Sequence, residues 1–378
     1  MDFDLNTEQK MLQKSAREFF SKELDSEMVR EMEKDATGHS PQIWKKMARI
    51  GWMGLLIPEA FGGEEMGVTD MAIVLKEMGY AAFTSPYFFT AVVGVSLLLT
   101  GGSERQKKKL LPVVAKGKKI LTLAWNETGV ETACSGLSAT AEIRGDHYLL
   151  NGTKTFVPFG HVADQIVVAV RTGPAGESGE DGISLFIVDR DQPGVNVEVV
   201  ETMADDKSCE LNFENLKIPT ENMLGEKNQG WPILKSVFQV SAALKCAEMV
   251  GGARKVLQMT VNYAKKREQF SRPIGSFQAI QHHCADMITH LETSDLILLE
   301  TCWRLDRGGD CAKQVSMCKA WVNENCRRLY LLGHQVMGGF GFMEEVDHQL
   351  YYRRGKAAEA MFGNADYHRE AVARHMEG

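Results

Sequence analysis

The sequence predicts an α+β protein with a helical N-terminal domain, a central β domain and a C-terminal helical bundle. Three observations predict it. Apolar residues recur at helical spacing up to about Lys119, short β-branched and alternating runs follow, and long helical patterns return after Gly230. The chain has 378 residues, which is long for one core, so several domains are expected from size alone. The boundaries read as 1–119, 120–227 and 228–378.

In the first segment Leu12, Ala16, Phe19 and Phe20, then Met71, Val74, Leu75 and Met78, carry the helical period. Pro58, Gly62, Gly63, Gly101 and Gly102 punctuate the helices. The longest apolar stretch, from Phe88 to Leu99, is too short to span a bilayer and reads as a buried helix. Lys107, Lys108 and Lys109, with Lys116, Lys118 and Lys119, form the one dense basic stretch and read as a solvated helix face.

The second segment holds His147-Tyr-Leu-Leu150, Gln165-Ile-Val-Val-Ala-Val-Arg171 and Ile183-Ser-Leu-Phe-Ile-Val-Asp189, separated by turn-rich residues such as 172–182. These strands fit either a small barrel or a sandwich. In the third segment Val237 to Leu257, Ala279 to Leu305 and Gln314 to Leu332 show the spacing of antiparallel helices in a bundle. No internal repeat or low-complexity stretch interrupts the chain.

Composition narrows the function. A net charge of -7 argues against a nucleic-acid binder, which needs clustered basic residues to neutralise phosphate. The opening Met1-Asp-Phe-Asp-Leu-Asn-Thr is acidic where a secretory signal is basic and then apolar, so a cytoplasmic location is expected. The eight cysteines lack paired C-x-x-C spacing and fit reduced core thiols. His282, His283 and Cys284 are consecutive on a helix and point in different directions, so no shared metal is expected. No Ser, Cys or His shows the spacing of a nucleophile with its base, so a hydrolase has little support.

The run Tyr263-Ala-Lys-Lys-Arg-Glu-Gln-Phe-Ser-Arg-Pro-Ile-Gly-Ser-Phe-Gln-Ala-Ile-Gln281 carries the most specific signal. It is joined by Gly51-Trp-Met-Gly-Leu-Leu-Ile-Pro-Glu-Ala-Phe-Gly-Gly63, Leu150-Asn-Gly-Thr-Lys154, Ile218-Pro-Thr-Glu-Asn-Met-Leu-Gly225 and Gln335-Val-Met-Gly-Gly-Phe-Gly-Phe342. In this order and over essentially the whole chain, these motifs resemble those of acyl-CoA dehydrogenases. The resemblance implies an α-β-α architecture ending in a four-helix bundle, with FAD as cofactor and α,β-desaturation of an acyl-CoA thioester as activity.

In that family a carboxylate removes the α-proton while the β-hydrogen leaves as hydride to flavin N5. The resemblance implies that Arg267, Gln269, Phe270, Gln278, Gln335, Gly338, Gly339 and Asn364 bind the cofactor, with the pyrophosphate and adenosine held across a subunit interface. An Arg fork, amide side chains and bare glycine backbone suit phosphate. It places Trp125, Asn126, Thr128, Phe156, Val157 and Pro158 at the flavin ring, and Thr132, Phe362 and Gly363 at the substrate.

Three departures stand out. The family's Thr-Glu-Pro segment is Asn126-Glu127-Thr128 here, and its Trp-Ile-Thr is Phe156-Val157-Pro158, where proline has no N–H or hydroxyl for the ring. The glutamate of the family's Tyr-Glu-Gly-Thr turn is Phe362, within Met361-Phe362-Gly363-Asn364, with the register fixed by Ala371-Val-Ala-Arg-His375. The alternative glutamate position on the first long helix of the C-terminal domain falls at or beside Ala242. Glu248, Glu359 and Asp366 are the nearby acids to weigh as replacements.

Tyr351-Tyr-Arg-Arg-Gly-Lys-Ala-Ala-Glu-Ala-Met-Phe-Gly363 is similar to the glutamate-lacking subunits of heterotetrameric acyl-CoA dehydrogenases. The leading expectation is such a subunit, beside a glutamate-bearing paralogue and with electron transfer flavoprotein or a similar acceptor. Two alternatives accompany it. One is a non-catalytic structural partner that donates only the FAD adenosine site; the other is a homotetramer using an unusual base on a cyclic or branched acyl-CoA.

Overall fold

The computed structural model describes residues 4–129 and 136–377, which form two compact units. One comprises Met1–Arg30, Gly67–Phe83 and Gln239–Gly378, and the other Glu31–Met66 and Thr84–Phe238. Each unit is thus assembled from segments distant in sequence.

The first unit is helical. It contains α1 (Thr7–Glu23), α4 (Val68–Tyr80), α7 (Gly230–Lys266) from Gln239 onward, α8 (Gln278–Arg307), α9 (Ala312–Met337), α10 (Asp347–Ala360) and α11 (Ala365–Glu377). Asn6 starts α1 with a capping box, accepting from the Gln9 N–H while the Gln9 side chain accepts from its own. Helices α4 and α7 cross where neither has a side chain: a Cβ on Gly79 would lie 1.9 Å from the Glu248 carbonyl oxygen, and one on Gly251 1.9 Å from that of Lys76. Asp295 of α8 ties the crossing, pairing with Lys76 at 2.8 Å and Arg254 at 2.9 Å.

The second unit contains α3 (Pro41–Arg49), α5 (Val95–Gly101), α6 (Glu104–Ala115) and one eight-stranded sheet. Its strands are β1 (Leu121–Ala124), β2 (Thr140–Arg144), β3 (His147–Pro158), β4 (Gln165–Arg171), β5 (Ile183–Asp189), β6 (Val195–Val200), β7 (Ser208–Pro219) and β8 (Met223–Leu224). The order is β6-β7-β3-β2-β4-β5-β8, with β1 parallel to β4. Alternate residues form the core: Ile166, Val168 and Val170 of β4, Phe186 and Val188 of β5, and Cys209, Leu211 and Phe213 of β7. The phase then slips by one to Leu216 and Ile218, across Asn215 at φ 48, where the β3–β7 ladder also shifts register. The apolar run that begins at Phe88 is a buried helix lying against β1, with Thr90 Oγ1 bridging the Leu121 N–H and carbonyl at 3.1 Å each.

All seven cysteines among the described residues are free thiols, and all but Cys284 are buried. No group of three or more His, Cys, Asp or Glu able to hold a metal occurs among the described residues. No helix among them is long and apolar enough to cross a membrane.

Candidate functional site

In the second unit β1 runs into residues 125–128, which are anchored to the end of β3. Thr155 N–H donates to the Asn126 carbonyl at 2.9 Å, and Thr122 Oγ1 donates to the Pro158 carbonyl at 2.6 Å. Behind them lies a buried ion pair, Lys154 Nζ to Glu127 Oε1 at 2.5 Å, with Nζ also 3.3 Å from the Trp125 carbonyl. Glu127 further accepts from Ser138 N–H at 2.7 Å, Ser138 Oγ at 2.5 Å and Ala139 N–H at 3.1 Å.

Burial opposes the charge on Glu127, but the Lys154 ammonium and these hydrogen bonds outweigh it and hold its carboxyl below the usual range. Burial pushes Lys154 down to about 8, against the pull of Glu127. This pair fixes the level of Trp125 and Asn126, whose ring and amide face different company. Trp125 packs on Phe238 with centroids 4.8 Å apart. The Asn126 amide and the Thr128 hydroxyl have no partner among the described residues.

At the end of β3 a bulge between Lys154 and Val157 places Phe156 at φ 52, with the residue 58% exposed. Val157 turns its side chain into the sheet core and is buried, paired with Cys209 in the β3–β7 ladder. Pro158 is buried and its carbonyl is engaged by Thr122. Thr132 lies outside the described residues.

In the first unit Phe362 and Gly363 form the turn between α10 and α11, at φ 59 and φ 102. A Cβ on Gly363 would come within 2.6 Å of Tyr367 Cδ1 and 2.7 Å of His368 Nε2, so only glycine fits. The Phe362 side chain packs into an apolar cluster of Ala242, Leu305, Cys311 and Val315. None of the three nearby acids is a free base. Glu248 pairs with Lys245 at 2.6 Å, Glu359 with Lys356 at 2.6 Å, and Asp366 with Arg369 at 2.8 Å. Asn364 caps α11, its Oδ1 accepting from Tyr367 N–H at 2.9 Å.

The same unit carries the residues expected at pyrophosphate and adenosine. Arg267 follows the last turn of α7 and enters the two-stranded hairpin β9 (Glu268–Gln269) and β10 (Arg272–Pro273). Its guanidinium is exposed and makes no hydrogen bond or ion pair among the described residues. Gln269 is exposed beside it, with Nε2 on the Glu268 carbonyl at 2.7 Å. Phe270, 88% exposed, meets Phe277 edge-on at 6.1 Å, and Gln278 opens α8.

Gln335 is exposed in the last turn of α9, followed by Gly338 at φ 61 and Gly339, with no atom within 4 Å of either Cβ position. Tyr263 stacks on Phe340 at 5.4 Å, which brings these two motifs together. An unpaired guanidinium, amide side chains and open glycine backbone fit a pyrophosphate. At the ring end the unpaired Asn126 and Thr128 and the exposed Phe156 fit a flavin, while Pro158 contributes no donor.

A helical unit and a unit built on one sheet, carrying residues of these types, suit a flavoprotein oxidoreductase. The chain matches the profiles of the acyl-CoA dehydrogenase N-terminal domain over residues 6–118, the middle domain over 122–216 and the C-terminal domain over 228–377. It is 34% identical to the caffeyl-CoA reductase–Etf complex subunit CarC of Acetobacterium woodii, over 91% of each chain. It is 30% identical to the acryloyl-CoA reductase (NADH) of Anaerotignum propionicum, over 100% of this chain and 96% of that one. Among solved structures, the FAD complex of PigA superposes with a TM-score of 0.91 at 27% identity, covering 100% of this chain and 99% of that one. The chain belongs to the acyl-CoA dehydrogenase family, oxidoreductases acting on the CH–CH bond of acyl-CoA thioesters, and FAD is its cofactor.

Sequence reasoning assigned no role to the Glu127–Lys154 pair or to the polar side chains beneath the turn at Phe362. The second set had a legible signal: Ser316, Lys319 and Asn323 recur at helical spacing on the buried face of α9.

Proposed function

We propose that this chain is one subunit of an FAD-dependent acyl-CoA dehydrogenase that introduces an α,β double bond into an acyl-CoA thioester and works beside a glutamate-bearing paralogue in a cytoplasmic heterotetramer. The carrying observation is the apolar cluster that receives Phe362 beside Ala242, which leaves both family positions of the base without a carboxylate. The ion pairs on Glu248, Glu359 and Asp366 support the same reading.

In this reading the Phe362 backbone N–H hydrogen-bonds the thioester carbonyl and acidifies the α-proton. The partner supplies the base that takes that proton, and FAD supplies the two-electron acceptor for the β-hydride. Arg267, Gln269, Phe270, Gln278, Gln335, Gly338, Gly339 and Asn364 hold pyrophosphate and adenosine across a subunit interface. Trp125, Asn126, Thr128, Phe156, Val157 and Pro158 line the ring, and Thr132 and Gly363 meet the substrate. Electron transfer flavoprotein or a similar acceptor takes the electrons, supported by the relative named as a subunit of an Etf complex.

A second reading is favoured by one observation, the donor-less Pro158 with its carbonyl already engaged by Thr122. On it the chain holds no flavin ring of its own and completes only the adenosine site of its partner. Visible absorbance separates the two, since a colourless homogeneous preparation supports the structural partner.

Co-expression with the glutamate-bearing paralogue, followed by native mass, flavin counting and acyl-CoA oxidation, tests the leading reading. The chain alone is expected neither to exchange the α-proton nor to oxidise the thioester, and the α2β2 assembly to do both. A homotetramer with one reducible flavin per chain that oxidises an acyl-CoA unaided overturns it.

A further inference from the structure

The helical unit holds a half-open pocket of about 230 Å³, and none of the residues assigned to cofactor or substrate lines it. Its walls come from α1, residues 24–29, the end of α4, α7 at Lys255 and the start of α10, all within that one unit. Phe20, Val29 and Leu350 are almost fully buried and, with Leu24, give it an apolar wall. Tyr80 and Tyr351 close it with hydroxyls already engaged, Tyr351 donating to the Tyr80 carbonyl at 2.7 Å and Tyr80 to Gln258 Oε1.

The charges on these walls are matched, with one exception. Arg17 donates to the buried Glu77 carboxylate through Nε at 3.1 Å and Nη2 at 2.9 Å. Asp347 accepts from Ser26 Oγ at 2.5 Å and from Arg30 at 2.6 Å. Asp25 is exposed and accepts from the Met28 N–H at 2.8 Å, at a helix N-terminus whose backbone donors offset its charge. Lys255 is the exception: its ammonium lies 5.0 Å from the centroid of the Tyr80 ring and makes no hydrogen bond or ion pair among the described residues.

An ammonium without a carboxylate, set beside an apolar wall, suits a ligand that has both complements. An anionic head meets Lys255, and a hydrocarbon tail displaces water from Phe20, Leu24 and Leu350. The pocket has the volume of roughly eight waters in the liquid, which suits a chain of about six carbons.

We infer that this pocket binds a short-chain monocarboxylate, with the carboxylate on Lys255 Nζ and the tail against Phe20, Leu24 and Leu350. The site goes beyond the acyl-CoA reading and does not depend on it. Because the pocket exists only where α1, α4, α7 and α10 come together, a bound acid favours the folded helical unit over the unfolded chain.

The test uses hexanoate on the FAD-loaded oligomer as purified, read by calorimetry and by the rise of the unfolding midpoint. Hexanoate is expected to bind, and 1-hexanol and hexylammonium to bind about tenfold more weakly or not at all, the worth of a charge-assisted hydrogen bond. Lys255→Gln is expected to weaken hexanoate by the same factor, and Ser21→Trp, which sends a ring into the pocket from an exposed position on its wall, to abolish binding. Saturating hexanoyl-CoA is expected to leave hexanoate in place. Absence of binding, equal binding of the alcohol, undiminished binding in Lys255→Gln, or displacement by hexanoyl-CoA each overturns the inference. Tighter binding of hexylammonium than of hexanoate gives the pocket to a cation at Asp25 and overturns it as well. Should Lys255→Gln fail to fold, Ser21→Trp and the alcohol carry the same comparison.

Discussion

Phe362 and Ala242 share one apolar cluster, although 119 residues of other structure, including all of α8, α9 and α10, separate them along the chain. The resemblance assigns the family's glutamate to Phe362 or to a position at or beside Ala242. Their convergence means that a carboxylate from either would enter the same neighbourhood, and here that neighbourhood is built from Leu305, Cys311 and Val315 as well.

Phe362→Glu is therefore expected to introduce a carboxyl whose pKa is raised by its apolar surroundings. Exchange of the α-proton of a simple acyl-CoA should appear in the isolated chain and increase with pH through that raised value. Ala242→Glu should act similarly from the other side of the cluster. Burial of the new group is expected to destabilise the fold by roughly 1–3 kcal/mol, read by urea unfolding. Wild-type chain that already exchanges the proton would show that another base exists.

Arg267→Ala is expected to remove a charge-assisted hydrogen bond to FAD phosphate worth about 1.5–3 kcal/mol. Flavin retained after dialysis should fall accordingly, while unfolding of the flavin-free protein stays close to wild type, because the guanidinium makes no bond within the described chain. Unchanged flavin occupancy in the assembled oligomer rejects the assignment.

The ion pair under the ring segment gives a sharper stability signal. Lys154→Met leaves Glu127 buried without its cation and is expected to cost about 3–5 kcal/mol. Replacing both, as Glu127→Gln with Lys154→Met, should recover much of that loss. Denaturant titrations of the two variants check it, and equal losses in single and double variants would contradict the coupling.

Acid should unfold this protein through its buried histidines. Burial pushes His348 down to about 3, aided by neighbouring His334, and His368 down to about 4. Both folded values lie below the ordinary 6.5, so the unfolded chain takes up protons first as pH falls. Stability is fully present above pH ~6.5 and declines by up to about 1.4 kcal/mol per pH unit for each histidine below it. His348→Leu should flatten the decline between pH 6.5 and 4. A stability that does not change over that range in the wild type would reject the prediction.

The candidate site was legible in part. Arg267, Gln269, Gln335, Gly338 and Gly339 are the residue types that phosphate binding needs, donors and bare backbone at fixed local spacing, and Phe362, where the resemblance expects a glutamate, is a single letter in a readable turn. The helical and alternating periods likewise follow from local geometry, which is why the α-β-α order was visible before any contact was known. Their assembly was not: the N-terminal helices divide between two units, with α1 and α4 in the helical one and α3, α5 and α6 beside the sheet.

The ion pairs of Glu359, Glu248 and Asp366 with Lys356, Lys245 and Arg369 join residues three apart on one helix, so local spacing already offered them. What only the tertiary structure decided is how groups distant along the chain meet. Sequence gave no reason to connect Lys319 with Ala358 or Ser316 with His368, since a hydrogen bond reaches about 3 Å in space and has no fixed reach along the chain. Local spacing determined which residues could do chemistry; packing determined that Phe362 faces an apolar cluster and that its carbonyl meets His368 of α11.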